Sequence, residues 1–371
     1  MSRSRLRGKG AVPGYIGRID SLSTPTRSPA RHSWLLTQLA VGLLIGGLTL
    51  AWAVRGLDLH LVLQSLFTAH YAWVLVSLAC VIGVALSKAA RWSALYGSSE
   101  HRTSFCQVFS ALIISQMVNV VIPVRLGELV RIGLMKQSGQ PGATTLSTII
   151  VEKSFDLVAA GLMALSMAML AMAPAWLSER AVGLFVIGAV LVAGLALTWY
   201  LRAQVENVLA HILDWGGWLP QRWRTGLLHV AHTMLDAFGT LTNPSCLVRV
   251  LFWTTMAWLL SLMNMLTLFT AFGLDLPVVA GAVLIITLLF SNVVPSPPAL
   301  VGVMHAIAVV VLGEYGVSQT VAMGFGILLN VITVAPLILI GALALWQRAA
   351  SLLRVLRGHS VRELLNKLFA S

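Results

Sequence analysis

Charge is scarce in this chain. Only 10% of its residues are Asp, Glu, Lys or Arg, against about 25% in a soluble globular domain. Acids are the scarcer sign: 13 Asp and Glu stand against 25 Lys and Arg, for a formal net charge of +12. The basic residues are dispersed among apolar stretches rather than gathered in one block, which argues against nucleic acid as a partner. Cysteine is nearly absent. Cys80, Cys106 and Cys246 are far apart and form no CxxC pair, so they read as small apolar residues, and neither a metal nor a cofactor is expected. There is no GxxxxGK[ST] loop, hence no expected nucleotide motor. HExxH, a GxSxG elbow and a Ser-His-Asp set are also missing, and the chain is not expected to be an enzyme.

What fills the space is apolar sequence. Hydrophobic residues make up 58% of the 371 positions, and the mean hydropathy is +0.86. Runs near the 20 residues needed to cross a bilayer as a helix recur from end to end, at 34–54, 71–90, 105–122, 143–173, 181–201, 250–272, 278–294 and 317–346, with a shorter one at 301–312. Lipid offers the backbone no hydrogen-bond partners, and a helix satisfies its own. Barrel-type alternating strands are not seen. The expected fold class is therefore an all-α polytopic membrane protein. Three regions follow: a basic, disordered cytoplasmic tail at 1–33, an integral membrane domain at 34–346, and a short amphipathic cytoplasmic tail at 347–371. The run at 34–54 reads as an uncleaved first span rather than a signal peptide, given its long basic lead. Residues 203–240, rich in Trp, read as amphipathic helix on the membrane surface.

The distribution of Lys and Arg orients the spans. Let 105–122 return to the side it entered, and let the pair 278–294 and 301–312 do the same. Six crossing spans then remain. Only Arg55 and Arg180 fall outside, and Lys153 lies within a span. Both termini are then cytoplasmic in an inner (plasma) membrane, in agreement with the positive-inside bias. The two non-crossing segments resemble each other. Asn119-Val-Val-Ile-Pro123-Val-Arg125-Leu-Gly127-Glu128 matches Asn292-Val-Val-Pro295-Ser-Pro-Pro298-Ala-Leu-Val-Gly302 in its Asn-Val-Val step, its Pro break and its Gly. The flanking units, 71–173 and 250–346, would start on opposite sides. An inverted repeat with Pro/Gly-broken, re-entrant helical hairpins points to a transporter with its site at the breaks Pro123, Gly127, Pro295, Pro298 and Gly302. The plainer reading is that these residues merely kink ordinary spans.

Glu152, Lys153 and Asp156 interrupt an apolar run, where each would be costly facing lipid. Glu152 and Asp156 share one helix face. Glu128 and Arg131 are three apart and can pair. Arg125 precedes an expected helix start, where free N–H groups suit a phosphate. The functional reading is a cavity in which Arg125, Arg131 and Lys153 hold an anionic head group, with Glu128, Glu152 and Asp156 orienting the cations or carrying protons. The alternative is a set of structural ion pairs. Lys88 and Arg91 read as snorkelling residues at a span end, and Trp92 as an interface anchor. A lone His is more often a satisfied packing residue, but His305 is expected to face the cavity, where it can titrate near neutrality.

These strings carry a resemblance. Lys88-Ala-Ala-Arg91-Trp92, then Asn119 to Arg131, then Glu152-Lys153-Ser-Phe-Asp156, and later Pro295-Ser-Pro-Pro-Ala-Leu-Val-Gly302-Val-Met-His305, resemble the flippase-like family named for the transmembrane region of lysylphosphatidylglycerol synthase. The resemblance covers about 40–346. It implies movement of an anionic or polyprenyl-linked lipid between leaflets, and two re-entrant hairpins around a cavity. Ala299 stands where the family commonly has Gly, and His305 where many members carry an acid. The chain stops after a short tail, so lysine transfer is not expected of it. The implied partners are a membrane phospholipid or lipid-linked substrate and enzymes of lipid biosynthesis. Two other readings stand beside transport: an intramembrane lipid-phosphate enzyme with a divalent metal on Glu152 and Asp156, which Lys153 opposes, and an accessory protein of lipid or cell-envelope biosynthesis.

Overall fold

A computed structural model describes residues 44, 47–55, 58–96, 103–122, 126–169, 174–201, 243–291 and 298–358, with Gln204, His211, Leu228 and Gly239 between. The expected basic tail, most of the run at 34–54, the amphipathic segment 203–240 and residues 359–371 lie outside the described residues. So do Pro123, Arg125 and Pro295.

Among the described residues the regular structure is helical and no strand occurs. The helices are α1 (Leu59–Phe67), α2 (Tyr71–Leu95), α3 (Phe105–Val121), α4 (Gly127–Gln137), α5 (Gly142–Met169), α6 (Ala175–Tyr200), α7 (Pro244–Ala271), α8 (Val278–Ser291), α9 (Val303–Gly313) and α10 (Gln319–Gly358). A short 3₁₀ turn, Pro298–Leu300, precedes α9.

Several starts are written in the sequence. The Asp58 carboxylate accepts from the His60 N–H at 2.8 Å at the head of α1. Ser104 and Gln107 cap α3 reciprocally, Ser104 Oγ accepting from the Gln107 N–H and Gln107 Oε1 from the Ser104 N–H. Asn243 accepts from the Ser245 N–H ahead of α7, and Pro244 takes the first helical position, where it has no N–H to lose.

Four helices are long and apolar enough to cross a membrane: Tyr71–Leu95, Ala175–Gly194, Pro244–Ala271 and Gln319–Ala349. α5, at 28 residues, has the length for a fifth span and carries its three charges midway. α10 runs unbroken through residue 346 to Gly358, with Pro336 inside it. The membrane multi-pass character is plain in the outward surface. Leu75, Val190, Leu251 and Leu339 point away from the protein, Leu339 being 70% exposed. In water such a surface would be a liability; in lipid it is the solvated face.

The helices pack through small residues. A Cβ at Gly161 of α5 would stand 2.5 Å from the Phe185 Cα of α6, so these two helices touch backbone to backbone, the contact that drives association in lipid. α2 lies along α7, α3 along α4, and α9 along α10. One apolar cluster joins α7, α8, α9 and α10 with the end of α5. A second joins the end of α2 to α3, α4, α5 and the start of α7.

Candidate functional site

Glu152 and Asp156 of α5 find partners on two other helices, α2 and α4. Arg91 of α2 meets the Asp156 carboxylate with both nitrogens, Nη1 to Oδ1 at 2.6 Å and Nη2 to Oδ2 at 3.2 Å. Its Nη2 also lies 3.4 Å from Glu152 Oε1, and Nη1 donates to Thr254 Oγ1 of α7 at 3.4 Å. Arg131 of α4 donates from Nη2 to Glu152 Oε2 at 2.6 Å. The result is a chain Arg131–Glu152–Arg91–Asp156, two guanidiniums and two carboxylates that balance in charge, the first three buried and Asp156 partly so. The planar fork of Arg suits such two-point contact.

Aromatic residues complete the cluster. The Arg131 guanidinium lies 3.5 Å over the centre of the Trp92 ring, a cation–π contact made where water is excluded. Trp92 Nε1 donates to Thr148 Oγ1 at 2.9 Å, and Tyr96 Oη donates to Thr145 Oγ1 at 2.9 Å. α2 is thereby bonded to α5 along two further turns.

Three expectations change here. Arg91 and Trp92 do not snorkel or anchor at an interface; both are 0% exposed. Arg131 does not pair with Glu128 in its own helix. It faces Glu152, because a buried carboxylate needs a cation more than an intrahelical neighbour does. Glu128 instead accepts from Asn119 Nδ2 at 3.3 and 3.4 Å. The phosphate site expected at the start of α4 is also altered. The Gly127 N–H donates to Asn119 Oδ1 at 2.7 Å, so that donor is taken, and Glu128 in the first turn already complements the helix dipole.

Gly127 is where α4 comes closest to α3. A Cβ there would stand 2.1 Å from the Ser115 carbonyl oxygen and 2.5 Å from the Asn119 side chain. Only glycine permits that approach.

The second break differs in detail. Ala299 and Leu300 have φ of 58° and 55°, and Gly302 of 88°. Asn330 of α10 donates from Nδ2 to the Ala299 carbonyl at 2.7 Å and holds the turn. A left-handed Ala is strained where Gly is not. Ala299→Gly is therefore expected to raise stability by about 1 kcal/mol, read as a higher melting temperature of the purified protein; a fall would contradict it. His305 is a further correction. It does not line the cavity described next. It sits buried at the start of α9, and its Nδ1 accepts from the Gly302 N–H at 3.2 Å. Three residues into a helix, a side-chain acceptor folds back naturally onto an orphan N–H.

A cavity of about 440 Å³ opens between α2, α3, α4, α5, α7, α8, α9 and α10. Its charged lining residues, Lys88, Glu128, Arg131, Glu152, Lys153 and Asp156, come from α2, α4 and α5, and α3 adds Ser115, Gln116 and Asn119. The lining from α8, α9 and α10 is mainly apolar, with Leu288, Met304, Leu329, Leu337 and Ile340. Pro336 also lines it. Of the residues expected at the site, Glu128, Arg131, Glu152, Lys153 and Asp156 come together; Gly127, Pro298 and Gly302 support the breaks without lining it. Lys88, Arg91, Trp92, Asn119 and Asn330 were not recognised as site residues. Charge balance was the available signal for two of them: the acids at membrane depth call for cations, and Lys88 and Arg91 were the ones at hand.

The family model for the lysylphosphatidylglycerol synthase TM region matches residues 39–341. The chain belongs to that family. Neither a curated protein nor a solved structure matches it. The family's match takes in the ion chain, both breaks and the whole cavity wall.

Proposed function

We propose that the chain moves an anionic or polyprenyl-linked lipid between the leaflets of the inner membrane. One observation carries this reading: a cavity whose charged lining comes from α2, α4 and α5 and whose lining from α8, α9 and α10 is mainly apolar. A lipid has the same division. The head group would lie against the polar wall while the chains remain against the apolar wall or in the bilayer.

The arrangement of helices supports the same reading. α2, α3, α4 and α5 run long, short, short, long, and so do α7, α8, α9 and α10. α3, α8 and α9 have 17, 14 and 11 residues. At 1.5 Å per residue, each is shorter than the roughly 30 Å hydrocarbon core. We read α3–α4 and α8–α9 as re-entrant hairpins of an inverted repeat, entering from opposite sides with both termini cytoplasmic. Broken helices of this kind are tolerated at membrane depth where they surround a cavity. Glu152 and Asp156 already face guanidiniums, which favours transport over a metal-dependent reaction at that carboxylate pair.

Reconstitution tests the proposal. Liposomes with the protein and a fluorescent lipid in both leaflets are treated with a membrane-impermeant quencher. Transport predicts that more than half of the label is lost, because inner-leaflet lipid moves outward. Equal quenching with and without protein, for phosphatidylglycerol and for a polyprenyl phosphate alike, would sink it.

A further inference from the structure

The site holds two kinds of cation, and they are in different situations. Arg91 and Arg131 are committed to Glu152 and Asp156. Among the described residues Lys88 and Lys153 have no ion pair, yet both line the cavity. Lys88 is on α2 and Lys153 on α5, so their ammonium groups come from two helices tied together by the Arg91–Asp156 contact. Glu128, the remaining carboxylate on the wall, pairs with neither lysine and is engaged by Asn119.

Lys88 is partly buried and Lys153 exposed, and an ammonium at membrane depth with no counter-ion in direct contact is costly. A ligand that brings negative charge removes that cost. The start of α4, the other anion-binding feature of the site, has its Gly127 N–H occupied by Asn119. Arg131 adds a second observation. It is 4% exposed and lines the cavity, and its Nε–H has no hydrogen-bond partner among the described residues.

We propose that Lys88 and Lys153 together hold the phosphate of the transported lipid, while Arg91 and Arg131 position α2, α4 and α5 around it. This rests on the lipid-transport reading and narrows it: the recognised group is a lipid phosphate, and the contacts are the two unpaired lysines. A lysine is suited to the task because its ammonium is a mobile point charge that releases an anion more readily than a two-pronged guanidinium does. A carrier needs release as much as binding.

Direct binding keeps the inference separate from transport. The full chain in detergent is titrated with phosphatidylglycerol, with a polyprenyl monophosphate and with diacylglycerol, which lacks phosphate, and bound lipid is read by native mass spectrometry. At least one phosphate-bearing lipid should bind more tightly than diacylglycerol. Lys88→Gln and Lys153→Gln should each weaken that binding about tenfold, the usual scale for a hydrogen bond to a charged group. Lys88→Arg and Lys153→Arg should restore most of it, and diacylglycerol binding should not change. The variants should keep the wild-type melting temperature, because no carboxylate is left stranded. Wild-type affinity in the double Gln variant would overturn the proposal, as would a wild type that binds neither phosphate lipid better than diacylglycerol. If binding follows the prediction and liposomes show no transport, the phosphate site stands and the transport reading falls.

Discussion

Arg91→Ala should cost about 3–5 kcal/mol of stability, the scale for breaking a buried ion pair by removing one partner. Arg91 is the hub of the site. It touches Asp156 through two contacts, Glu152 through a third and Thr254 through a fourth, and it is 0% exposed. Its loss leaves Asp156 without an ion-pair partner among the described residues and Glu152 with Arg131 alone. Those carboxylates have no water shell to return to. The expected result is a steep drop in folded protein recovered in detergent and a lower melting temperature. The double variant Arg91→Leu with Asp156→Leu should be milder than Arg91→Ala, because the two charges then leave together. An Arg91→Ala loss below about 1 kcal/mol, the range of an exposed ion pair, would show that the chain of contacts is not what holds α2 to α5.

Gly127→Ala should be similarly damaging for a steric reason. The new methyl would stand 2.1 Å from the Ser115 carbonyl oxygen, well inside any tolerated contact. That neighbour is backbone and cannot swing aside, so α4 must move off α3. Overpacking of this kind costs about 1–3 kcal/mol and sometimes more. The displacement also pulls the Gly127 N–H from Asn119 and shifts Arg131 relative to Glu152, so binding and transport should fall with stability. Gly133→Ala, one and a half turns further along α4, is the control. A Cβ there meets nothing within 4 Å, and alanine favours a helix over glycine by about 1 kcal/mol. Thermal melting of both variants decides the matter. Similar effects from the two would mean that the close approach at Gly127 is not real.

A group of cations and acids at membrane depth can bind substrate or lock helices together. In this protein the arginines and their two acids do the locking. The lysines remain for the ligand under the proposal above. A variant series should therefore split. Changes at Arg91 and Glu152 should move stability first, and changes at Lys88 and Lys153 should move lipid affinity first.

Much of the architecture was legible from residue order. Apolar run length marks a membrane helix because backbone and bilayer thickness permit little else: the run at 71–90 lies inside α2, and those at 250–272 and 317–346 match α7 and α10 to within two residues at one end. Ser104 with Gln107 and Asn243 with Pro244 announced helix starts through local capping alone. The short runs near 105–122 and 278–294 became α3 and α8, ending close to the expected breaks. The family was also readable from its motifs, and its model matches residues 39–341. Position in the chain determined all of these, because each depends on neighbours within a few residues.

Partner choice was not local, and only the tertiary structure decided it. Spacing placed Arg131 beside Glu128, yet Arg131 meets Glu152, twenty-one positions away. Spacing placed Lys88, Arg91 and Trp92 near a span end, yet α5 and α7 cover Arg91, and α4 and α5 cover Trp92. His305 had the right chemistry for a cavity, and the helix start it caps turned it inward. The physical reason is the same in each case. A helix fixes which side chains share a face, but what that face meets depends on another helix far along the chain. Once water is excluded, a buried charge takes the partner that packing brings within reach.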